Sequence, residues 1–384
     1  MQIAQRIKSL PPYLFAELDR KISEEKKAGK EVITFGMGDP DLPTPKHIID
    51  ACCEAAKKPE NHRYPSYEGM PEFRSAVAER YERDFNLKFD PEKEVIALIG
   101  SKEGIHNINF AFIERGDVVL YPDPGYPVYK TGALFAGGEP FAMPLLKEND
   151  FLPDLEAIPR RKIKKARLLW INYPNNPTAA IADKAFYKEV VDFASDNNIV
   201  VCSDEAYSAI AFDGYKAPCF LEIKGAREVG IVFDSLSKTY NMAGWRIGYA
   251  AGSAEIIEAL GKVKTNVDSG VSQIIQEAGI AALLGNQDCI KQNIRVYQER
   301  RDVFVSGLNK LGLSCEKPRA TFYVWLEVPN RNSLAFANML LEKAGVVCTP
   351  GVGFGEYGEG FVRFALTQPV ERIRDALERM EKVV

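Results

Sequence analysis

The chain has 384 residues, 46% of them hydrophobic, and a formal net charge of −4 without long runs of one sign. This length allows a large core and favours two domains, while the charge argues against nucleic acid or an anionic membrane as a partner. Neither a signal-peptide core nor a bilayer-spanning apolar stretch is present in the sequence, so we expect a soluble cytoplasmic protein.

Cysteine and histidine usage restricts the chemistry further. The cysteines are odd in number and have no C-x-x-C spacing: Cys52, Cys53, Cys202, Cys219, Cys289, Cys315 and Cys348. We interpret Cys202 and Cys348, which lie in apolar runs, as small buried hydrophobes, and we expect a reducing compartment without a disulfide framework. The histidines are scattered without metal-ligand spacing, so no metal site is predicted: His47, His62 and His106.

The N-terminal segment is predicted to contain a helix over residues 13–28. Gly29 follows it and can take the left-handed conformation that ends many helices. Residues 35–45 are rich in proline and glycine, which predicts a segment without regular structure.

Short apolar runs alternate with helix-length amphipathic stretches between about residues 95 and 250. The runs are 95–99, 118–121, 167–172, 199–204, 231–233 and 246–251. Such near-continuous apolar runs are typical of strands buried on both faces, so we predict an α/β fold with a mostly parallel sheet covered by helices. The chemically notable residues follow these runs, as expected for one site at the carboxyl ends of the strands.

The C-terminal part, from about residue 285, alternates helices with strands such as 321–327. We predict a large domain over 46–284 and a smaller α+β domain that combines 1–45 with 285–384.

Lys238 is the most informative single residue. It follows an apolar strand and two serines, Ser235 and Ser237, and precedes Arg246. A single lysine is most often a solvated surface charge. Burial and a neighbouring cation would both lower its pKa, which suits a lysine that forms a Schiff base. Ser235, Ser237 and Arg246 would together suit a phosphate dianion, so the pattern suggests pyridoxal phosphate.

Asp204 ends the run at 199–204 and is followed after two residues by Tyr207. A carboxylate at a strand end could keep a pyridine ring nitrogen protonated, and Tyr207 could hydrogen-bond the phenolate oxygen of the same ring. The alternative is that Asp204 caps a following helix.

Three further turns follow predicted strands. Asn176, in a Pro-Asn-Asn-Pro turn, could aim its amide at a ligand, although such turns are common. Ser101 and Lys102 follow Gly100 at a helix start, where free N–H groups favour a phosphate, and ordinary helix capping is equally compatible. Tyr126 could stack on a flat ring or could be a simple turn aromatic.

Arg363 lies inside an apolar, strand-like run. Buried arginines are costly without an anionic partner, which here could be a structural carboxylate or the carboxylate of a substrate. The glycine pattern at 351–355 is a weak likeness of a dinucleotide fingerprint, but the residues after it do not open a helix.

These motifs resemble those of the fold-type I pyridoxal-phosphate aminotransferases over essentially the whole chain. Four stretches match together: 64–73, 174–178, 204–207 and 235–248. The resemblance implies a mostly parallel seven-stranded sheet with helices on both faces. It also implies that Lys238 forms the Schiff base and moves the proton, and that Asp204 pairs with the pyridine nitrogen.

The same resemblance assigns the other positions. Tyr207 and Asn176 would contact the phenolate oxygen, Tyr126 would stack on the ring, and the phosphate would be held by Ser101, Lys102, Ser235, Ser237 and Arg246. Arg363 would bind the α-carboxylate of the substrate. Tyr64 matches a tyrosine that reaches the phosphate of the neighbouring subunit, which implies a homodimer with shared active sites.

A narrower resemblance is to the LL-diaminopimelate aminotransferases. It is carried by residues 10–16, 36–41, 61–66, 99–104 and 264–270. That family interconverts tetrahydrodipicolinate and glutamate with LL-2,6-diaminopimelate and 2-oxoglutarate, a step of lysine biosynthesis. The likeness implies a substrate pocket lined by Tyr13, Gly38 and Lys102 together with Tyr126, Asn176 and Arg363.

Two positions depart from that pattern. Ala179 stands where the asparagine-proline-threonine motif continues with glycine, and Tyr67 stands where other members place a glutamate that reads the distal ammonium of the substrate. Glu68 is one residue later.

Other activities stay open from the sequence. No arginine lies between Arg246 and Arg295, which disfavours aspartate as the substrate but leaves alanine and aromatic amino acids. A C–S β-lyase or a decarboxylase would use the same ring partners. A ligand sensor would need an added DNA-binding module, and a nicotinamide dehydrogenase is disfavoured by the failed glycine fingerprint.

Overall fold

The computed structural model describes residues 2–8, 10, 14–27 and 29–384. Within these ranges the strands are β1 (Ile33–Thr34), β2 (Val95–Leu98), β3 (Val118–Asp123), β4 (Glu139–Pro144), β5 (Ala166–Asn172), β6 (Val200–Asp204), β7 (Gly230–Ser235), β8 (Gly248–Gly252), β9 (Tyr323–Glu327), β10 (Val346–Val347), β11 (Thr349–Pro350) and β12 (Phe361–Ala365).

The α-helices of the same ranges are α1 (Gln5–Lys8), α2 (Leu14–Lys27), α3 (Lys46–Ala55), α4 (Pro71–Phe85), α5 (Ser101–Phe112), α6 (Val128–Ala136), α7 (Arg160–Ile163), α8 (Lys184–Asn197), α9 (Ala226–Val229), α10 (Leu236–Thr239), α11 (Ala254–Lys264), α12 (Gln273–Leu284), α13 (Asp288–Lys310), α14 (Ser333–Met339) and α15 (Val370–Met380). A single π-helical turn, Leu340–Ala344, continues α14.

The N-terminal predictions agree with the structure where it describes the chain. Helix α2 occupies the predicted segment, while Tyr13 and Ala28, its predicted ends, lie outside the described residues. Gly29 has a φ of +82°, which is the left-handed conformation expected of it. Residues 35–45 contain no helix or strand, as predicted.

Seven strands form the central sheet in the order β2-β8-β7-β6-β5-β3-β4. Strand β8 runs antiparallel to both of its neighbours, and the other pairs within the sheet are parallel. The carboxyl ends of the six parallel strands therefore meet the beginning of β8 at one edge. This confirms the predicted mostly parallel α/β sheet.

Two details of the sheet differ from the sequence-based expectation. The run predicted at 246–251 becomes a strand only at Gly248, because Arg246 takes a left-handed φ of +58°. Strand β4 has no counterpart among the apolar runs, since it is a half-exposed edge strand that contains two prolines.

Alternate side chains of each strand enter two different cores. In β3, Val118 and Leu120 belong to a core that also contains residues of α3, α4, α8 and α12, whereas Val119 and Tyr121 belong to a second core that contains residues of α5, α6 and α11. Both faces of the sheet are therefore covered, which explains why its central strands read as continuous apolar runs.

A third core surrounds the smaller sheets. Strand β12 lies between β9 and β11 in an antiparallel sheet, and β1 pairs in parallel with β10. Buried residues of α13, α14 and α15 pack on these strands together with Tyr207 from the loop after β6. The division of the chain into 46–284 and the remainder stays a prediction.

Two predictions from composition can be compared with the fold. All seven cysteines are free, and Cys202 and Cys348 are buried, which confirms their interpretation as core residues. Among the described residues no helix is both long and apolar enough to cross a membrane.

Candidate active site

A cavity of about 370 Å³ opens where the carboxyl edge of the central sheet meets the three-stranded sheet. Twelve residues singled out from the sequence line it: Gly38, Ser101, Lys102, Tyr126, Asn176, Asp204, Tyr207, Ser235, Ser237, Lys238, Arg246 and Arg363. The topology brings most of them together because the parallel strands end at this edge and β8 begins there. Gly38 and Arg363 reach the cavity from outside the central sheet.

Lys238 projects into the cavity from α10, directly after β7. Its Nζ donates a hydrogen bond to the carbonyl oxygen of Gly38 at 2.8 Å. Burial lowers the pKa of Lys238 to about 8, and the positive charges of Arg363 and Arg246 act in the same direction, against Asp39 and Asp204. With a pKa of about 8, roughly a tenth of this amine is neutral at pH 7, far more than in an ordinary lysine.

Gly38 reaches Lys238 because it has no side chain. A Cβ at this position would lie 2.0 Å from the hydroxyl oxygen of Tyr323. Any larger residue would have to displace the segment whose carbonyl accepts the lysine.

Asp204 ends β6 at the floor of the cavity. The hydroxyl of Tyr129 donates to its Oδ2 at 2.7 Å, and the backbone N–H of Ala206 donates to its Oδ1 at 3.4 Å. Burial raises the pKa of Asp204 to about 6, while the hydrogen bond from Tyr129 lowers it. The chain after Asp204 makes turns and not a helix, so the alternative of a simple helix cap is wrong.

Tyr129 is a site residue that the sequence analysis missed. It lies in the first turn of α6, three residues after Tyr126, and its ring stacks on Trp170 with centroids 4.9 Å apart. In the sequence Tyr129 looks like an ordinary core aromatic. The one signal that could have indicated a site residue is its position three residues after Tyr126, because residues so spaced lie on one face of a helical turn.

Asn172 was also missed, although it ends β5. Its Nδ2 donates to the backbone carbonyl of Asp204 at 2.7 Å, and its Oδ1 accepts the backbone N–H of Asn176 at 2.9 Å. Asn172 therefore ties the turn that carries Asn176 to the strand end that carries Asp204.

A buried ion pair lies beneath the junction of β7 and α10, which carries Ser235, Ser237 and Lys238. The Oδ2 of Asp234 accepts from Arg80 Nη1 at 2.8 Å and from the hydroxyl of Tyr249 at 2.9 Å, and its Oδ1 accepts the backbone N–H of Ser235 at 2.6 Å. These contacts fix the point at which the chain leaves β7 and enters α10.

Hydroxyl, backbone and cationic groups converge at the start of α5. The N-cap residue Gly100 has a φ of +71°, and a Cβ there would lie 2.3 Å from Nη2 of Arg246. Arg246 is held by the carbonyl of Ala243, to which its Nη1 donates at 2.8 Å. Burial lowers the pKa of Lys102, and the charge of Arg246 adds to this. Two cations, a helix start and the hydroxyl of Ser101 form a donor set that fits a phosphate group.

Arg363, in β12, is 2% exposed and faces the cavity from the three-stranded sheet. Its Nη1 donates to Oδ1 of Asn176 at 2.7 Å and its Nη2 to the carbonyl of Gly36 at 2.8 Å. The guanidinium lies 4.4 Å from the ring centroid of Tyr323 and 4.6 Å from that of Phe354. These contacts hold the group in a fixed plane, as bidentate recognition of a carboxylate requires.

Tyr323 contributes a second contact that the sequence did not indicate. Its hydroxyl lies 2.8 Å from the hydroxyl of Tyr207, so the two phenols form one hydrogen-bonded pair at the cavity wall. Tyr207 is thereby held in place from the three-stranded sheet.

Some predicted residues are not part of this cavity. Tyr13 lies outside the described residues. Tyr64 is 89% exposed, Tyr67 is 48% exposed, and neither they nor Glu68 line the cavity. Within the described ranges no group of three or more histidine, cysteine, aspartate or glutamate residues could hold a metal ion. The glycine pattern at 351–355 forms 3₁₀ turns and opens no helix, as expected.

The chain is similar to known proteins over nearly its whole length. The profile of the family Aminotransferase class I and II matches residues 30–380. The LL-diaminopimelate aminotransferase of Moorella thermoacetica is 55% identical over 385 residues, covering 100% of this chain and 99% of that protein. The protein of the same name from Aquifex aeolicus is 52% identical over 383 residues, covering 100% and 99%.

Solved structures of aminotransferases and related proteins are also similar to this chain over its full length. Substrate-bound BacF from Bacillus subtilis superposes with a TM-score of 0.95 at 40% identity, covering 100% of this chain and 98% of that one. A mutant of the aspartate aminotransferase of Thermus thermophilus superposes with a TM-score of 0.93 at 30% identity, covering both chains completely.

Proposed function

Because the chain belongs to the aminotransferase class I and II family, we propose that it is a pyridoxal-phosphate aminotransferase acting on LL-2,6-diaminopimelate. The reaction would interconvert tetrahydrodipicolinate and glutamate with LL-2,6-diaminopimelate and 2-oxoglutarate, in lysine biosynthesis. The observation that carries the chemistry is Lys238, a buried amine whose pKa is lowered. It shares one cavity with Asp204 and with the donor groups that suit a phosphate.

The residues of the cavity fit pyridoxal phosphate. The absence of a side chain at Gly100 lets Arg246 lie against the backbone at the start of α5, since a Cβ would be 2.3 Å from its Nη2. The guanidinium is thereby placed beside the free N–H groups of this helix start, which suits a phosphate. Asp204 lies at the floor, buried and supported by Tyr129. When bound, the cofactor supplies a protonated ring that withdraws electrons from the α-carbon of the amino acid.

Each protein group then has a distinct task. Asp204 holds the proton on the ring nitrogen, and Tyr207 and Asn176 donate to the phenolate oxygen. Tyr126 covers the ring face. The Nζ of Lys238 removes the proton from the substrate α-carbon, for which the neutral amine is required. Its lowered pKa makes that form accessible near neutral pH.

The substrate would be bound by its two ends. Arg363 grips the α-carboxylate with its planar fork. Gly38 and Lys102 line the cavity and would belong to the substrate pocket, together with Tyr13, which lies outside the described residues.

The enzyme would act as a homodimer in the cytoplasm. Three large hydrophobic residues are exposed: Tyr64 to 89%, Tyr67 to 48% and Val267 to 60%. Gly270 packs against the backbone of Ser66 and so brings the segments that carry them together. Exposed apolar groups in one region are typical of an interface, and Tyr64 would reach the partner's phosphate. The seven free thiols support a reducing compartment.

Mixing two inactive variants tests the shared site. Tyr64→Ala leaves Lys238 intact, and Lys238→Ala leaves Tyr64 intact, so a mixed dimer would contain one complete site. We expect the mixture to recover transamination that neither variant has alone. No recovery between subunits shown to exchange would contradict a Tyr64 supplied in trans.

A panel of half-reactions tests the substrate. The purified enzyme with its cofactor would be mixed with LL-diaminopimelate, glutamate, aspartate, alanine and aromatic amino acids, and the visible absorbance of the cofactor followed. We expect a response to LL-diaminopimelate and glutamate. A response confined to the other amino acids would assign a different aminotransferase, and release of ammonia and pyruvate from cysteine conjugates would assign a β-lyase.

A further inference from the structure

The glycine pattern that fails as a dinucleotide fingerprint has a defined place in the fold. Residues 351–358, which we term the glycine loop, consist of two 3₁₀ turns between β11 and β12. The loop leaves the three-stranded sheet, contacts the end of β3 in the central sheet, and returns to the strand that carries Arg363.

Asp123, the last residue of β3, binds the loop directly. Its carboxylate is 4% exposed and accepts two backbone N–H groups, that of Tyr357 at 3.0 Å and that of Glu356 at 3.3 Å. The next turn adds a third bond, in which the N–H of Gly125 donates to the carbonyl of Phe354 at 2.9 Å. A buried carboxylate of this kind is satisfied only while the loop is docked.

Gly355 makes this docking possible. Its φ is +142°, which side chains other than glycine rarely adopt, and a Cβ would lie 2.0 Å from Oδ1 of Asp123. The loop therefore approaches the carboxylate more closely than any other residue would allow.

The docked loop contacts the substrate arginine. The ring of Phe354 lies 4.6 Å from the guanidinium of Arg363, on which Tyr323 also packs at 4.4 Å. Phe354 is 4% exposed, so its ring is enclosed while the loop is docked. Tyr126, the expected ring-stacking residue, follows Gly125 in the turn that binds the loop.

We propose that Asp123 and the glycine loop are positioning elements that hold Phe354 against Arg363 and so fix the plane in which Arg363 receives the α-carboxylate of the substrate. This inference rests on the proposed function, because it takes Arg363 as the carboxylate site. Asp123 itself does not line the cavity and acts only through Phe354 and Arg363.

The first test compares Asp123→Asn with Asp117→Asn. Asp117 precedes the other end of β3 and also accepts a backbone N–H, that of Glu114 at 3.0 Å, but it lies away from the cavity. Asp123→Asn replaces one accepting oxygen with a donor that faces an N–H group. We expect the KM for amino acids to rise roughly 10- to 100-fold, with kcat and the dissociation constant of pyridoxal phosphate nearly unchanged. Asp117→Asn should leave all three unchanged.

A second pair of variants covers the case in which Asp123→Asn fails to fold. Gly355→Ala places a methyl group against Asp123, whereas Gly116→Ala introduces the same change at a φ of +99° with nothing within 4 Å. Gly355→Ala should raise KM as Asp123→Asn does, and the double variant should be no worse than either alone. Gly116→Ala should leave KM unchanged.

The choice of substrate distinguishes a misplaced Arg363 from a general loosening of the protein. A donor amino acid and its α-amide differ only at the group that Arg363 binds. The rise in KM should appear with the acid and vanish with the amide. An equal loss with both, a weaker affinity for the cofactor, or an unchanged KM would overturn the inference.

Arg363→Lys distinguishes this inference from the proposed function. If Arg363→Lys leaves the KM of the acid unchanged, the carboxylate role of Arg363 falls, and the positioning inference with it. If Arg363→Lys raises KM while Asp123→Asn and Gly355→Ala do not, only the positioning inference falls.

Discussion

The two ends of the cavity are built in different ways. The cofactor end is formed by Asp204, Ser235, Lys238 and Arg246, which all stand at one edge of one sheet. The carboxylate end, at Arg363, depends on contacts with the backbone of Gly36, the side chain of Asn176 and the rings of Tyr323 and Phe354.

This difference should divide the kinetic parameters. Groups at the sheet edge act on the reacting atoms and the cofactor, so changes there should lower kcat or cofactor affinity. Groups at the carboxylate end hold the part of the substrate that does not react, so changes there should raise KM. The following variants test this division, beginning with the largest expected effect.

Lys238→Ala should lower kcat by at least about 10⁴-fold, because the variant loses both the amine that binds the cofactor covalently and the group that moves the α-proton. Single-turnover kinetics with the cofactor added would measure this. Lys262→Ala, on the exposed face of α11, is the control and should be fully active. Retained turnover in Lys238→Ala would break the assignment of the cofactor end.

Asp204→Asn should lower kcat by about 10²- to 10³-fold, the size of effect seen when one fixed polar group at a reaction centre is removed. Asparagine cannot carry the negative charge that keeps the ring nitrogen protonated. Asp196→Asn, an exposed change on α8, is the control. A higher KM with an unchanged kcat in Asp204→Asn would contradict the proposed division of kinetic roles between the two ends.

Arg363→Lys should raise the KM of amino acids by roughly 30-fold, corresponding to about 2 kcal/mol for a hydrogen bond to a charged group. Lysine keeps the charge but loses the planar fork. Steady-state kinetics on the acid would measure the effect, with Arg295→Lys on the surface of α13 as the control. A lowered kcat at unchanged KM would place Arg363 among the reacting groups.

Tyr129→Phe should have the smallest effect, about fivefold in kcat at neutral pH, from the loss of one hydrogen bond of about 1 kcal/mol. The bond from Tyr129 lowers the pKa of Asp204, so its loss raises that pKa and moves the acid limb of the activity profile to higher pH. Tyr215→Phe, which removes a hydroxyl bonded to Ala182, should leave the limb in place. A shift to lower pH in Tyr129→Phe would contradict the assigned role.

The same two ends differ in how much of them could be predicted from the sequence. Lys238, Asp204 and Arg246 stand beside apolar runs, and a parallel sheet brings the ends of such runs to one edge, so their meeting follows from local patterns. Tyr129 was missed because its neighbours in sequence belong to a helix. Its bond to Asp204 is visible only in the folded structure, where α6 packs against β3 and β4 and the Tyr129 hydroxyl reaches the end of β6.

At the carboxylate end, local patterns carry less information. Arg363 could be recognised as an arginine in an apolar strand, but the residues that hold it come from three different places. Gly36 and Asn176 are more than a hundred positions away, Tyr323 lies in the neighbouring strand β9, and Phe354 lies in a loop with a misleading glycine pattern. Gly36, Tyr323 and Phe354 have no chemical signature in the sequence. The half-exposed edge strand β4 was missed for a related reason, since it lacks the apolar run of the inner strands.

Strand β8 also determines when the cofactor end of the site can first exist during synthesis. Its insertion between β2 and β7 pairs Ala97 with Tyr249 on one side and Asp234 with Tyr249 on the other. A nascent chain exposes Gly100 and Ser101 long before Arg246 has been made. Lys238 can leave the ribosome before the phosphate donors are complete, and only the arrival of β8 closes the sheet. Tight binding of the cofactor therefore requires that β8, the last strand of the central sheet to be synthesised, is already in place.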